Sequence, residues 1–200
     1  MFVIGITGPS GAGKGEVSRL LSSYGAFIID ADNVYHKIIT PPSKCLGELV
    51  DFFGDGILNN DGQLDRKTLA LCVFGEENRD NLEKLNKITH KYVVDEIRQT
   101  IAALKDISIA VIDAPLLIEA DLVSDCDMTI AVLADKEARA LRISERDGID
   151  LDAAMSRINS QKTDDYYISN TDAIIRNNAD IDTLSSFLLT LLEKRGIRIG

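Results

Sequence analysis

The stretch Gly8-Pro9-Ser10-Gly11-Ala12-Gly13-Lys14 constrains this chain more than any other. A short apolar run, residues 2–7, leads straight into it, and a helical pattern with Val17, Leu20 and Leu21 on one face leads out. The spacing is that of a phosphate-binding loop, GxxxxGK, and the strand–loop–helix setting separates it from a chance match. Glycines at 8, 11 and 13 permit backbone conformations and close approaches that a Cβ would block. Successive N–H groups can then point inward as an anion nest, and the helix start adds its positive end. Gly8, Gly11, Ala12 and Gly13 are therefore candidate phosphate contacts. Lys14 supplies a cation for the terminal phosphates.

The next position breaks the pattern. The full motif has Ser or Thr after the lysine, where a hydroxyl ligates Mg²⁺; here Gly15 and Glu16 follow. The next hydroxyl, Ser18, reads as too far along the helix to take that place. Gly15 removes a metal ligand without dismantling a cradle made mostly of backbone. Glu16 has two readings, a negative charge suited to a helix first turn or a substitute that holds metal through water.

Beyond the loop, Tyr24-Gly25 ends the helix and residues 26–29 form a second apolar run closed by Asp30-Ala31-Asp32. This is the opening of an α/β fold with a parallel sheet. Residues 33–105 behave differently, with helical periodicity at 45–53, 69–74 and 81–104, a turn at Asn59-Asn60-Asp61-Gly62 and no convincing strand. That is more than a crossover needs, so it reads as a helical insertion covering a substrate. The α/β pattern resumes with strands at 107–112 and 128–133, helices at 136–144 and 150–160, a brief strand at 173–175 and a helix at 181–192.

Charge narrows the ligand. Acidic residues outnumber basic ones 32 to 22, for a net charge of −10, and no Lys/Arg run interrupts this. Such a surface repels nucleic acid and anionic membranes, leaving a small-molecule pocket with local cations as the expected site. The 200 residues suit one domain with an inserted subdomain. Cys45, Cys72 and Cys126 are odd in number and form no CxxC pair, as in a reducing compartment. The start has neither a signal peptide's charge pattern nor a membrane span, so a cytoplasmic protein is expected, a monomer or weak homo-oligomer.

Several carboxylates and cations are candidates for chemistry. Asp30 and Asp32 end a predicted strand, the edge where α/β sheets bind ligands. If the segment is still extended, both side chains share one side, and either could accept a hydroxyl proton or position Mg²⁺. The alternative is that Asp32 simply caps a helix beginning near Asn33. Asp113 ends the third strand as a metal-anchoring carboxylate or as a turn former before Ala114-Pro115. Arg142 and Arg146 share a helical face after Arg139 and suit a lid over phosphates, or a solvated face pairing with Glu145 and Asp147. His90 is a lone helical histidine.

The ordered series is more specific than its parts. Ile29-Asp30-Ala31-Asp32, Asp61-Gly62-Gln63-Leu64-Asp65-Arg66, Ile88-Thr89-His90, Asp113-Ala114-Pro115-Leu116-Leu117-Ile118-Glu119, Arg142, Arg146-Asp147, Gln161, Thr171-Asp172 and Asn177 follow the loop in turn. Over nearly the whole chain this resembles the dephospho-CoA kinases, the last enzymes of coenzyme A synthesis. The resemblance implies a P-loop NTPase three-layer α/β sandwich with a parallel sheet. Its core would span about 1–32, 107–138 and 170–200, with a helical substrate-binding subdomain about 33–106 and a lid about 139–169. It implies ATP and Mg²⁺ as cofactors and phosphorylation of the ribose 3′-hydroxyl of dephospho-CoA.

The resemblance also implies roles for single residues. Residues 11–16, Gly11 through Gly15 and Glu16, would bind ATP, with Arg142, Arg146 and Asn177 beside the nucleotide. Lys14 and Arg142 would serve catalysis, Asp32 would be the base, and Asp32 and Asp113 would be the metal carboxylates. Arg66, His90, Leu116, Leu117 and Glu119 would face the substrate. Gly15 for the usual Ser, Lys91 after the histidine and Thr171 before Asp172 depart from the family's pattern. Two other readings stay open: another small-molecule kinase acting on a nucleoside or nucleotide, and a binding module left weak or silent in catalysis by Gly15.

Overall fold

The computed structural model of the chain describes residues 1–197. In chain order the elements are β1 (Phe2–Thr7), α1 (Lys14–Ser23), β2 (Phe27–Asp30), α2 (Ala31–Ile38), α3 (Lys44–Phe53), α4 (Arg66–Val73), α5 (Arg79–Ala103), β3 (Ile109–Asp113), β4 (Met128–Leu133), α6 (Lys136–Asp147), α7 (Leu151–Asn159), α8 (Asp164–Asn170), β5 (Ala173–Arg176) and α9 (Ile181–Lys194). They fall into two compact units, 1–29 with the chain from 104 onward, and 30–103. The last three residues of the expected core span, 198–200, lie outside the described residues.

The first unit carries the sheet, in the order β2-β3-β1-β4-β5. β1 pairs in parallel with β3 on one side and β4 on the other. The chain thus changes sides around β1, and a ligand crevice is expected at the carboxyl end of that strand. The central strands are buried along nearly their whole length, which is why they read as continuous apolar runs rather than alternating ones. One sheet face presents Ile4, Ile6, Val111, Ile130 and Val132 to Val17 and Leu21 of α1 and to Leu184, Leu188 and Leu192 of α9. The 4-residue spacing of those three leucines puts them on one stripe of α9, which Asp180 caps through Thr183 N. On the other face, Ala131 and Leu133 pack against Tyr167 of α8. Asp172 pins the start of β5 to β4, its Oδ2 accepting from Thr129 N and Oγ1, both at 2.7 Å.

The second unit is helical, with α5 as a 25-residue spine. Ile39, Cys45, Leu49, Ile57, Leu69, Val73 and Ile88 form its own core. Ser43 Oγ caps α3 through Leu46 N, and Asp65 caps α4 through Lys67 N and Thr68 N. The Asn59–Gly62 turn forms through Asn59 Oδ1, which accepts from Asp61 N and Gln63 N.

The structure corrects two local expectations. Asp30-Ala31-Asp32 does not stay extended: Asp30 caps α2, accepting from Asp32 N and Asn33 N, and the helix begins at Ala31. The cap is thus Asp30, not Asp32. α8 was not anticipated; it has seven residues and no side-chain cap, too short to show helical periodicity in the sequence.

Candidate active site

In the first unit, the loop between β1 and α1 is shaped by what its glycines make room for. A Cβ at Gly13, where φ is 95°, would come 2.0 Å from Asn177 Nδ2. One at Gly8, where φ is 140°, would come 2.1 Å from Val132 O. Both positions need glycine for space as well as for backbone angle. Gly13 is also the N-cap of α1 and brings no side chain to cap it, so α1 offers its leading N–H groups to a ligand.

Three side chains donate to carbonyls of the loop, and a fourth, Gln161, accepts from one of its N–H groups. Arg139 Nε donates to Ser10 O at 2.9 Å, and Arg139 Nη2 donates at 2.8 Å to Gln161 Oε1, which also accepts from Ser10 N at 3.2 Å. Arg142 Nη1 donates to Gly11 O at 3.2 Å and its Nη2 to Asn177 O at 2.9 Å. Asn177 Nδ2 donates to Ala12 O at 3.0 Å. In a trans peptide the carbonyl and the following N–H point opposite ways. Clamping the carbonyls of 10, 11 and 12 therefore turns the following N–H groups away from the clamps, as an anion nest requires, although Ala12 N itself donates to Pro9 O at 3.3 Å.

Arg142 and Asn177 are thus placed against the loop's backbone. Arg146 sits further out, exposed, with Nη2 3.4 Å from Ser10 Oγ and both Nε and Nη2 bonded to Asp147. Lys14 Nζ donates to Gly8 O at 2.9 Å, lying over the loop. Arg139 is only 3% exposed, and burial lowers its pKa against the opposing pull of Asp164 and Tyr167. It was not among the residues assigned a role from sequence, although its spacing from Arg142 and Arg146 puts all three on one helical stripe.

Asp113 stands at the end of β3, in register with Ile6 and two residues short of Gly8 on the neighbouring strand. Its Oδ2 accepts from Ser18 Oγ at 2.6 Å. A divalent cation that arrives with a polyphosphate takes most of its ligands from phosphates and water, so one carboxylate beside a phosphate cradle fits Mg²⁺. Glu16 pairs with Arg19 at 2.5 Å on its own helix, which matches its reading as a first-turn charge.

Of the residues after β3, Leu116 is 47% exposed and Leu117 fully buried. Leu117 fills the space over Gly5, where a Cβ would come 2.8 Å from its Cδ2. Glu119 acts on Tyr166 and Tyr167, whose hydroxyl pKa values are raised first by burial and then by that carboxylate. A cleft of roughly 330 Å³, with Ile174, Thr183, Leu184 and Phe187 in its walls, opens beside Asn177.

The second unit holds Asp32, Arg66 and His90. Asp32 is exposed in the first turn of α2. His36 lies four residues on, hence on the same helical face, and its Nδ1 is hydrogen-bonded to the Arg66 guanidinium. Helix geometry and that bond gather Asp32, His36 and Arg66 at one place. The one sequence signal for His36 is its four-residue spacing from Asp32. His90 is half-buried on α5, next to Lys91, whose ammonium donates to Glu48 at 3.1 Å alongside the Tyr92 hydroxyl at 2.9 Å. Lys91 first, then Tyr92, hold the Glu48 carboxyl below its usual range.

Comparison with known proteins runs across this whole arrangement. The family profile described as dephospho-CoA kinase matches residues 2–183. The dephospho-CoA kinase of Carboxydothermus hydrogenoformans is 39% identical over 194 residues, covering 96% of this chain and 93% of its own. That of Corynebacterium glutamicum is 39% identical over 186 residues, 92% of each chain. Among solved structures, a Thermus thermophilus protein superposes with a TM-score of 0.80 at 25% identity, covering 96% of this chain and 97% of its own. A shikimate kinase from Acinetobacter baumannii, at 14% identity and a TM-score of 0.58 over 99% of this chain and 96% of its own, shares the fold.

Proposed function

The chain belongs to the dephospho-CoA kinase family, and from that premise we propose how its residues divide the reaction among themselves. The reaction moves the γ-phosphoryl group of ATP to the ribose 3′-hydroxyl of dephospho-CoA, giving coenzyme A and ADP. Neither an alternative nucleoside kinase nor a silent binding module is favoured by any of these findings. The observation that carries the reading is the family match over 2–183 on a chain whose phosphate loop is clamped through every carbonyl from Ser10 to Ala12.

The backbone N–H groups of Gly11 and Gly13 and the start of α1 hold the triphosphate, with Lys14 swinging from Gly8 O to the β- and γ-phosphates. Arg142 and Asn177 keep the loop in its binding shape, and Arg146 meets phosphate from outside. The cleft beside Asn177 takes the nucleotide base. Asp32 accepts the 3′-hydroxyl proton as that oxygen attacks the γ-phosphorus and the bond to the β–γ bridging oxygen breaks. Asp113 would hold Mg²⁺, which would supply charge neutralisation at the phosphates. Asp32 is a second metal carboxylate of the same reading. Arg66, His90, Leu116 and Glu119 face dephospho-CoA, while Leu117, expected to do so too, is instead buried over Gly5. Residues 139–169 act as the lid and 33–106 as the substrate subdomain. Free thiols at Cys45, Cys72 and Cys126 suit a cytoplasmic enzyme working as a monomer or weak homo-oligomer.

The experiment is ADP release by the purified protein with ATP, Mg²⁺ and dephospho-CoA, beside a control without acceptor. Asp32→Asn should lower kcat by about 10²- to 10⁴-fold with ATP binding kept. A mutant as fast as the parent would remove Asp32 from the base role.

A further inference from the structure

Gly15 leaves the chain without a hydroxyl directly after Lys14. Ser18 stands three residues on along α1, one turn away and on the same face. It is 6% exposed. A buried helical serine commonly turns its hydroxyl back on a carbonyl of the preceding turn. Here the hydroxyl reaches across to β3 instead, donating to Asp113 Oδ2 at 2.6 Å, a distance in the range of charge-assisted bonds. Nothing excludes a side chain at position 15: a Cβ there meets no atom within 4 Å, and its φ is not in the left-handed region.

We propose that Ser18 is a positioning residue for the metal-holding carboxylate, fixing Asp113 in the role that a hydroxyl at position 15 would otherwise share. This rests on the reading of Asp113 given above. A carboxylate that holds a cation beside phosphates must keep one rotamer and its negative charge, and a donor from behind secures both. Ser18 does so from within α1, the helix whose start binds the phosphates. The cradle and the carboxylate are therefore braced by a single element. The sequence distance that rules Ser18 out as a direct ligand is the distance that lets it reach β3.

The test is binding of Mn²⁺ in the presence of ADP, read from the free-ion resonance signal, with the unfolding midpoint measured on each protein. Ser18→Ala should weaken Mn²⁺ binding about tenfold, within the range for partners behind a metal ligand, and Asp113→Asn at least as much. Adding Gly15→Ser to Ser18→Ala should recover more than half of the loss, a non-additivity expected only of residues sharing one role. Wild-type Mn²⁺ binding in Ser18→Ala, with binding weakened in Asp113→Asn, would overturn the positioning role and leave Asp113 standing. Unchanged binding in Asp113→Asn would overturn both. A double variant no better than Ser18→Ala would overturn the exchange between 15 and 18. If Ser18→Ala does not fold, Ser18→Cys, close in size and a weaker donor, should still bind Mn²⁺ more weakly, and unchanged binding there would sink the proposal.

Discussion

Arg139 and Arg142 carry full positive charges to the rim of a phosphate site, yet each sends a guanidinium N–H to a loop carbonyl. On the proposed reading they would shape the field at the phosphates by fixing dipoles as well as by their own charge. Arg142→Ala should raise KM for ATP more than it lowers the melting temperature, a split that steady-state kinetics beside a thermal scan would show. The thiols make a second prediction at this scale. Burial first, then nearby acids, push Cys45 up to about 11 and Cys126 up to about 12. Each unit above an ordinary thiol cuts the thiolate tenfold, so at pH 8 both should alkylate about 100-fold or more slower than a free thiol. Guanidinium should release them, and fast labelling of the native protein by iodoacetamide would contradict it. The motif at 8–14 was legible because glycine spacing and lysine are themselves the chemistry. Arg139 and Ser18 were not, because what matters about them is which distant carbonyl or carboxylate they reach.

The elements divide along the same line. β4 appeared in the sequence at its observed bounds, 128–133, because a strand covered on both faces must be apolar throughout. The start of α2 was misread, since alternation cannot reveal that Asp30 turns its carboxylate onto Asp32 N at 2.8 Å and starts a helix. Removing that cap by Asp30→Ala should cost about 1 kcal/mol of stability. α9 depends on its leucine stripe. Leu188 is fully buried between Leu184 and Leu192, and Leu188→Ala should cost about 2–5 kcal/mol in denaturant unfolding. Loss of less than about 1 kcal/mol would mean that α9 covers the sheet more loosely than its burial indicates.

For the whole molecule, the order of apolar runs showed a parallel α/β sheet, but the change of side around β1, where a ligand crevice is expected, was not legible, because which strands lie side by side is set by packing across the sheet. The two compact units divide at 29/30 and 103/104, close to the ends of the stretch that lacked strands. No helix among the described residues is long and apolar enough to cross a membrane. Because the nucleotide binds the folded chain and not the unfolded one, ADP at 100 times its Kd should raise the unfolding free energy by about 2.7 kcal/mol. A denaturant curve unmoved by ADP would separate the cradle from nucleotide binding altogether.

Gly13 and Asn177 lie 164 positions apart in the chain, yet one occupies the room the other leaves. Evolution cannot treat them as two sites. A smaller residue at 177 would make room at 13 but would take a donor from Ala12 O. The room alone would not admit a side chain at 13, because φ there is 95°, so each position holds the other in place.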